Sequence, residues 1–434
     1  MFKNLLLVLL LMMGAKLVYG QSLEVHEWGT FTVVQNDQGE TLVGVNTDDE
    51  PLPSFVYKKY FGINNEEKQT AGFSKSLPRY INRKMRMRLE TPVVYFYPKE
   101  NMAGKAFDFQ AEFMNGVISE VYPKTFDIQK EGPRLESPLS QAIWKNITIT
   151  KSEKFPVTDN PVWLEPRKVN AKPVQVDEEV EKYLFYRGLG ENDIPLHVVT
   201  NRETKKIEIF SEEKKSLVEE PKYSIENLWY VNVDSQGKII YKKLSGFTVD
   251  SNLRTKKIDF SSEFTKDEKK NDYQSLISSM KDALVKEGLF VEEASAMLKT
   301  WEHAYFKQTG SRIFYMVPRL WVDKNLPIKV SVDSKIERAM IGRIEIISDF
   351  QFNLLNELKN AKMDQAKYIE YQRNKTVLQV EPNAKVKIDK ESQRFYENYI
   401  NLGRFRDAII NDSHKTAANS NFEVLLKNIY EYKI

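Results

Sequence analysis

The stretch Met85-Arg86-Met87-Arg88-Leu89-Glu90-Thr91-Pro92-Val93-Val94-Tyr95-Phe96-Tyr97 decides how the chain is read. From Met85 to Glu90 apolar and charged residues alternate strictly, the period of a half-buried β-strand. Beyond Thr91-Pro92, Val93 to Tyr97 is apolar on both faces, as in a central strand. Similar signals surround it. Phe31–Val34 precedes the turn cluster Asn36-Asp37-Gln38-Gly39, and Thr41-Leu42-Val43 follows, as in a hairpin. Ala106–Phe113, Val117–Tyr122, Ile147–Thr150, Tyr183–Arg187 and Lys206–Phe210 read as strands. Leu228–Val233 and Lys238–Lys242 flank Asp234-Ser235-Gln236-Gly237, a second hairpin. Two polar stretches, Lys58–Ser76 and Lys168–Glu181, read as long loops or linkers.

From about Thr265 the period becomes helical. Thr265-Lys266-Asp267-Glu268 fits a capping box, and Leu276, Ile277, Met280, Leu284 and Val285 share a face ending at Gly288. Val291, Ala294, Met297, Leu298, Trp301 and Tyr305 form a second stripe, which makes an αα-hairpin. Strand signals return at Ile313–Val317 and in the alternation Ile328, Val330, Val332. Ser348-Asp349-Phe350-Gln351 is another capping box, leading Phe350, Leu354, Leu355 and Leu358 on one face. Two more helices are expected near 391–411 and 419–431. The predicted class is α+β, with a β-rich, sandwich-like N-terminal two-thirds and a helical C-terminal third. The segments are 21–175, β-rich; 176–262, a second β-rich stretch open to sharing the same sheet system; and 263–434, a mixed domain with the αα-hairpin, short strands and C-terminal helices.

Composition sets the outer limits. The 434 residues contain 18 glycines, 17 prolines and no cysteine, which removes collagen-like, low-complexity, disulfide-scaffold and thiolate-site readings. Residues 1–20 read as a secretory signal: Lys3 in a short basic start, the apolar run Leu5–Met13, then small residues ending in Gly20. Nine apolar residues fall short of the roughly 20 that span a bilayer. The mature chain is expected to be exported, periplasmic or extracellular, with no transmembrane segment. Its charge falls from +3 to about +1, because the signal takes Lys3 and Lys16 from the 64 basic groups and none of the 61 acids. The short lysine pairs, such as Lys205-Lys206 and Lys214-Lys215, sit among glutamates, so a nucleic-acid partner is not expected. Without disulfides, an exported chain of this size must be held by burial alone.

Chemistry has few places to reside. There are four histidines, His26, His197, His303 and His414. Val25-His26-Glu27-Trp28-Gly29-Thr30-Phe31-Thr32 supplies in succession an imidazole, a carboxylate and an aromatic ring: a metal ligand or general base, an acid, and a stacking surface. Thr30 stands where a helical zinc-protease motif requires its second histidine, so that motif is absent. In an extended chain His26 and Trp28 share one face and Glu27 points to the other. The competing reading is a packed strand with a satisfied histidine. Arg86, Arg88 and Glu90 line one face of a strand, where two guanidinium forks could hold an anionic or sugar ligand, or form an ion-pair ladder. His303 beside Glu302 would matter as a metal ligand if it met His26 in space.

Gly188 and Gly190 lack the third glycine of a dinucleotide loop, Asp193 standing there, and neither a nucleophile elbow nor a phosphate-binding loop occurs. Trp28, Trp144, Trp163, Trp229 and Trp321 all lie in strand-like contexts and are expected in the core. No cofactor is specified by these residues.

The chain resembles a family of large exported bacterial proteins that begin, soon after the signal, with His-Glu-Trp-Gly-Thr-Phe. The matching stretches are His26–Thr32, Met87–Tyr97, Gly116–Pro123, Tyr183–Gly190, Gly288–Phe306 and Arg312–Pro327. The resemblance implies a shared architecture and carries no activity, substrate or catalytic residue. In that family the position of His303 commonly holds another residue, which counts against it as a ligand. The expected function is a non-catalytic binding or scaffold protein of the cell envelope, with glycan or envelope polymer as partner class. The alternative is an exported, metal-assisted hydrolase using His26 and Glu27 with Glu90, Arg86 or Arg88, with Trp28 as a binding surface and His26 and His303 as metal ligands.

Overall fold

A computed structural model describes residues 22–45, 52–59, 84–126, 140–192, 194–211, 223–249, 258–268 and 272–430. The signal reading of 1–20, and most of Lys58–Ser76, lie outside them. The chain is α+β, β-rich through its first two-thirds and helical in its last third.

A nine-stranded sheet forms the centre. Its spatial order is β14 (Ile239–Leu244), β13 (Leu228–Val233), β17 (Gly310–Met316), β19 (Ser334–Ile346), β1 (Leu23–Gln35), β3 (Met87–Pro98), β9 (Leu184–Gly190), β5 (Gly116–Tyr122) and β2 (Tyr57–Lys58). Strands come from each of the stretches 21–175, 176–262 and 263–434. Two smaller sheets lie apart from this central one: β10 (His197–Asn201), β11 (Lys206–Phe210) and β16 (Ile258–Ser261), and β12 (Tyr223–Ile225) with β15 (Phe247–Val249). β1 lies in the middle, antiparallel to β3 and parallel to β19, and pairs with β19 over all thirteen residues from Leu23↔Ser334 to Gln35↔Ile346. A central strand is buried on both faces, so β1 carries little polar alternation. The strand signal at Phe31–Val34 is thus the second half of a strand that includes the whole of His26–Thr32, as in the packed-strand reading of that motif, and Ser334–Ile346 is a strand that the sequence signals do not mark.

One face of the sheet packs on a second, five-stranded sheet: β18 (Ile328–Val330), β4 (Ala106–Glu112), β6 (Gln141–Ile149), β7 (Val174–Val176) and β8 (Glu179–Glu181). Val25, Phe31, Leu89 and Phe96 meet Phe107, Phe109, Trp144 and Val174 there, giving the sandwich core. β7 and β8 correct the linker reading of Lys168–Glu181. Asp177, at φ 50°, turns the chain tightly enough for Val174 to pair with Glu181. The other face carries the αα-hairpin, α1 (Tyr273–Lys286) and α2 (Val291–Thr300). Leu276, Met280, Leu284, Ala294 and Met297 pack on Trp28, Tyr95, Trp229 and Phe314.

β3 explains how one strand serves both layers. Met87 and Leu89 face the sandwich core, yet beyond Thr91-Pro92 it is Val94 and Phe96 that do. The register shifts there, an extra residue that inverts the alternation. Opposite it stands Gly29, where a Cβ would lie 3.1 Å from the Pro92 Cα and 2.9 Å from the Met340 sulfur. Glycine occupies that position of the motif because nothing larger fits.

Several helical expectations change in detail. The Thr265/Glu268 box is formed (2.8 and 3.2 Å), but it closes a turn. α1 instead starts at Tyr273, with Asp272 and Ser275 capping each other's backbone. α3 (Arg319–Asn325) takes Trp321 out of the strand class, as a single helical turn, Pro161–Leu164, does for Trp163; all five tryptophans remain buried. α4 (Asp349–Asn360) has the Ser348/Gln351 box, but Phe350 faces outward. The expected helix 391–411 is two, α6 (Lys390–Asn401) and α7 (Arg406–Thr416), broken at Gly403 with φ 86°. α5 (Gln365–Val380) and α8 (Ser420–Tyr430) complete the C-terminal group, whose core also takes Val34, Leu42 and Val45 from the end of β1 and its turn.

Two substitutions test this architecture by urea denaturation. Gly188→Ala would place its Cβ 2.0 Å from the Val117 carbonyl oxygen and is expected to cost about 2–3 kcal/mol. Ser348→Ala, which removes the α4 cap, should cost about 1 kcal/mol.

Candidate functional site

Alternation along β1 distributes the motif residues over two faces. His26, Trp28, Thr30 and Thr32 point toward the αα-hairpin side, whereas Val25, Glu27 and Phe31 point into the sandwich. The sequence placed His26 and Glu27 on opposite faces, and the structure does the same.

Glu27 is fully buried between the sheets. It accepts from Arg338 Nε at 2.5 Å and from the Tyr186 hydroxyl at 2.5 Å. Arg338 also reaches Asp323 (2.9 Å) and the Leu326 carbonyl (2.6 Å). Burial, and then the charge of Glu27, holds the Tyr186 phenol well above its ordinary range, so it remains a donor. A carboxylate held by two donors in an apolar core is a structural ion pair: it has neither a free lone pair facing solvent nor a path for substrate.

His26 is also fully buried. Its Nδ1 lies 2.8 Å from Glu293 and its Nε2 3.2 Å from Glu24. The ring packs on Phe290 at 4.5 Å and edge-on to Tyr97 at 5.0 Å. Glu293 has two further donors: it also accepts from the Tyr97 hydroxyl (2.7 Å) and the Phe290 amide (2.7 Å), an N–H at the start of α2 with no partner inside the helix. Burial works against a charged His26, but the hydrogen bonds and charges of Glu293 and Glu24 outweigh it and raise its pKa.

Arg88 and Glu90 correct the idea of an exposed binding strand. Both are buried, and Arg88 Nε donates to Glu90 at 3.0 Å. Arg404, from the connection between α6 and α7, donates to the same carboxylate oxygen at 2.5 Å. Arg86 lies half-buried just before β3. Register sets Thr32 between Arg88 on β3 and Arg343 on β19. Thr30 bonds the Tyr305 hydroxyl, and Arg343 lies over the Tyr305 ring at 4.6 Å. Glu345 pairs with both Arg343 and Arg312, while Glu120 pairs with Arg187. The result is a charged row across one sheet face, shielded from solvent. Burial, and then the like charge of Arg404, pushes Arg88 down to about 9, and Glu90 acts to keep it cationic.

Trp28 is core, packed 6.4 Å from Tyr95. His303 lies exposed on the π-helical turn Glu302–Phe306, so it does not share the enclosed site of His26. Among the described residues no group of three or more histidines and carboxylates is arranged to hold a metal. The sequence reading missed Glu293, Arg338, Arg343, Arg404 and Tyr305. Arg338 and Arg343 carry a weak signal, as charges beside Glu337 and Glu345 within the largely apolar stretch Ile336–Ile346. Glu293 and Arg404 reach partners 267 and 314 residues away, and carry no local signal.

An open cleft of about 870 Å³ lies beside the His26 region, lined by Glu165, Lys168, Phe290, Val291, Glu292, Ser295, Ala296 and Lys299. Phe290 and Val291 are 41% and 57% exposed, so an apolar floor faces solvent between charged rims.

No family model and no curated protein matches the chain. Among solved structures it is similar to the zebrafish (Danio rerio) Fcho1 Mu homology domain with bound Eps15 peptide. The identity is 7% and the TM-score 0.31, over 75% of this chain and 98% of that one. It is also similar to the yeast delta-COP-I mu-homology domain complexed with Dsl1 WxWxV peptide, at 10% identity and TM-score 0.27, over 75% and 96%.

The Glu27–Arg338 pair makes a stability prediction. Arg338→Met leaves Glu27 buried without its cation and should cost about 3–5 kcal/mol in chemical denaturation. The double variant Glu27→Gln/Arg338→Met should recover part of that loss. Additive losses would show that the two side chains are not coupled.

Proposed function

We propose that this chain is an exported, non-catalytic binding or scaffold protein of the cell envelope, belonging with the bacterial proteins whose opening motif it resembles. The observation that carries the proposal is the condition of His26 and Glu27. Both are 0% exposed, they lie on opposite faces of one sheet, and each is occupied by structural partners. A general acid or base must reach the atom it protonates. Neither of these does, and the Arg88/Glu90 row is enclosed as well. The export assignment is supported by the N-terminal basic, apolar and small-residue pattern.

The partner class is a glycan or other envelope polymer, taken at the open cleft beside α2. Phe290 offers a face for a sugar ring, and Lys168, Lys299, Glu165 and Glu292 offer donors and acceptors for hydroxyl groups. Co-sedimentation of the purified protein with insoluble cell-wall polymer, and titration with soluble polysaccharides, tests the reading. Val291→Asp should fold normally and weaken retention at least tenfold. Unchanged retention by that variant would remove the cleft. Release of soluble sugar by the wild-type protein, lost in His26→Gln, would overturn the non-catalytic assignment.

A further inference from the structure

Both ring nitrogens of His26 face carboxylate oxygens, Nδ1 that of Glu293 at 2.8 Å and Nε2 that of Glu24 at 3.2 Å. A neutral imidazole has one N–H and can satisfy one of them; the imidazolium has two and satisfies both. The geometry is therefore that of the cation. The surroundings agree from every side. On β1 stands Glu24, 21% exposed at its side chain and also bonded to Lys335 at 2.8 Å. On β3 stand Tyr97 and, as the register partner of His26, Tyr95. On β19 the register partner is Glu337, which pairs with Lys335 at 3.1 Å. On α2 stands Glu293, with Phe290 just before it.

We propose that His26, held between Glu24 and Glu293, is a pH-responsive latch that fixes the N-terminal end of α2 on β1 while the ring is cationic and loosens it when the ring loses its second proton. Glu293 is the joint. The same Oε2 atom accepts from His26 and from the Phe290 amide, so the histidine, the helix start and the aromatic ring at the cleft move as one unit. The partly exposed side chain of Glu24 gives the released proton a route to solvent, and the Nδ1–H remains with the fully buried Glu293. The bond to Glu24 is lost, and the bond to Glu293, which ties β1 to α2, passes from an ion pair to a hydrogen bond donated by a neutral ring; that weakening is what loosens the helix. Phe290 lines the cleft, so the latch also sets the form of one cleft wall.

The sign of the effect is fixed. A histidine held above its unfolded value of about 6.5 stabilises the fold fully below that value, and the contribution fades as the pH rises through the folded value. The test is the melting temperature of the purified full chain from pH 5 to 9, with nitrogen-15 NMR of the imidazoles assigned by comparison with His26→Gln. The wild-type protein should lose melting temperature above neutrality, and His26→Gln should lose that pH dependence. At pH 6 both His26 nitrogens should carry protons. Glu24→Gln removes one partner at a partly exposed site, so it tests the latch even if His26→Gln fails to fold; it should move the transition to lower pH. A neutral His26 at pH 6, or identical pH profiles for wild type and Glu24→Gln, would overturn the latch. Either result leaves the partner assignment at the cleft standing, because polymer retention is read separately at one fixed pH.

Discussion

The fold rests on the parallel pairing of Leu23–Gln35 with Ser334–Ile346. Thirteen consecutive registered positions join segments some three hundred residues apart, and they set the middle of the nine-stranded sheet. Parallel neighbours cannot be joined by a hairpin, so the chain between them has to supply further layers before it returns. Those layers are the antiparallel strands that extend the sheet on both sides, the second sheet and the αα-hairpin. Every residue of the His-Glu-Trp-Gly-Thr-Phe motif lies on this central strand and is buried. The motif is thus explained as architecture: Trp28 and Phe31 fill opposite cores, Gly29 admits Pro92, and Thr30 ties down Tyr305.

Buried charge is the second theme. Glu27 with Arg338, His26 with Glu293, Arg404 with Glu90 and Arg312 with Glu345 join segments distant in sequence or adjacent strands, while Arg88 with Glu90 and Arg343 with Glu345 pair within one strand. Such pairs repay their desolvation poorly compared with apolar packing, but removing one partner is severe. They act as positional keys. Arg404 in particular anchors the C-terminal helices to the sheet through one carboxylate, beside the apolar contact that those helices make with Val34, Leu42 and Val45.

Legibility divides along the range of the forces involved. The hairpins at Asn36–Gly39 and Asp234–Gly237, the αα-hairpin and the Ser348/Gln351 cap were readable because turn chemistry and helical period act within a few residues. The opposed faces of His26 and Glu27 followed from strand geometry alone. The alternation Met85–Glu90 gave the strand but not the partners of its charges. A period of two with charges leaves a ligand-binding face and an ion-pair ladder both open, and here the charges find partners inside. Lys168–Glu181 looked like a linker because β7 and β8 are three residues each, too short for a periodic signal.

By itself, then, the sequence determined that a cysteine-free chain with this alternation and this C-terminal period is α+β, and which side chains of β1 share a face. Backbone geometry and local hydrophobic period are sufficient for that. Only the tertiary structure decided that Ser334–Ile346 is the partner of β1, that the motif's polar groups are internal, and that His26 is held by a glutamate 267 residues away. Long-range pairing depends on register and on the matching of buried donors with acceptors. Neither leaves a pattern in the residues around each partner, because each becomes satisfied only when the chain returns to it.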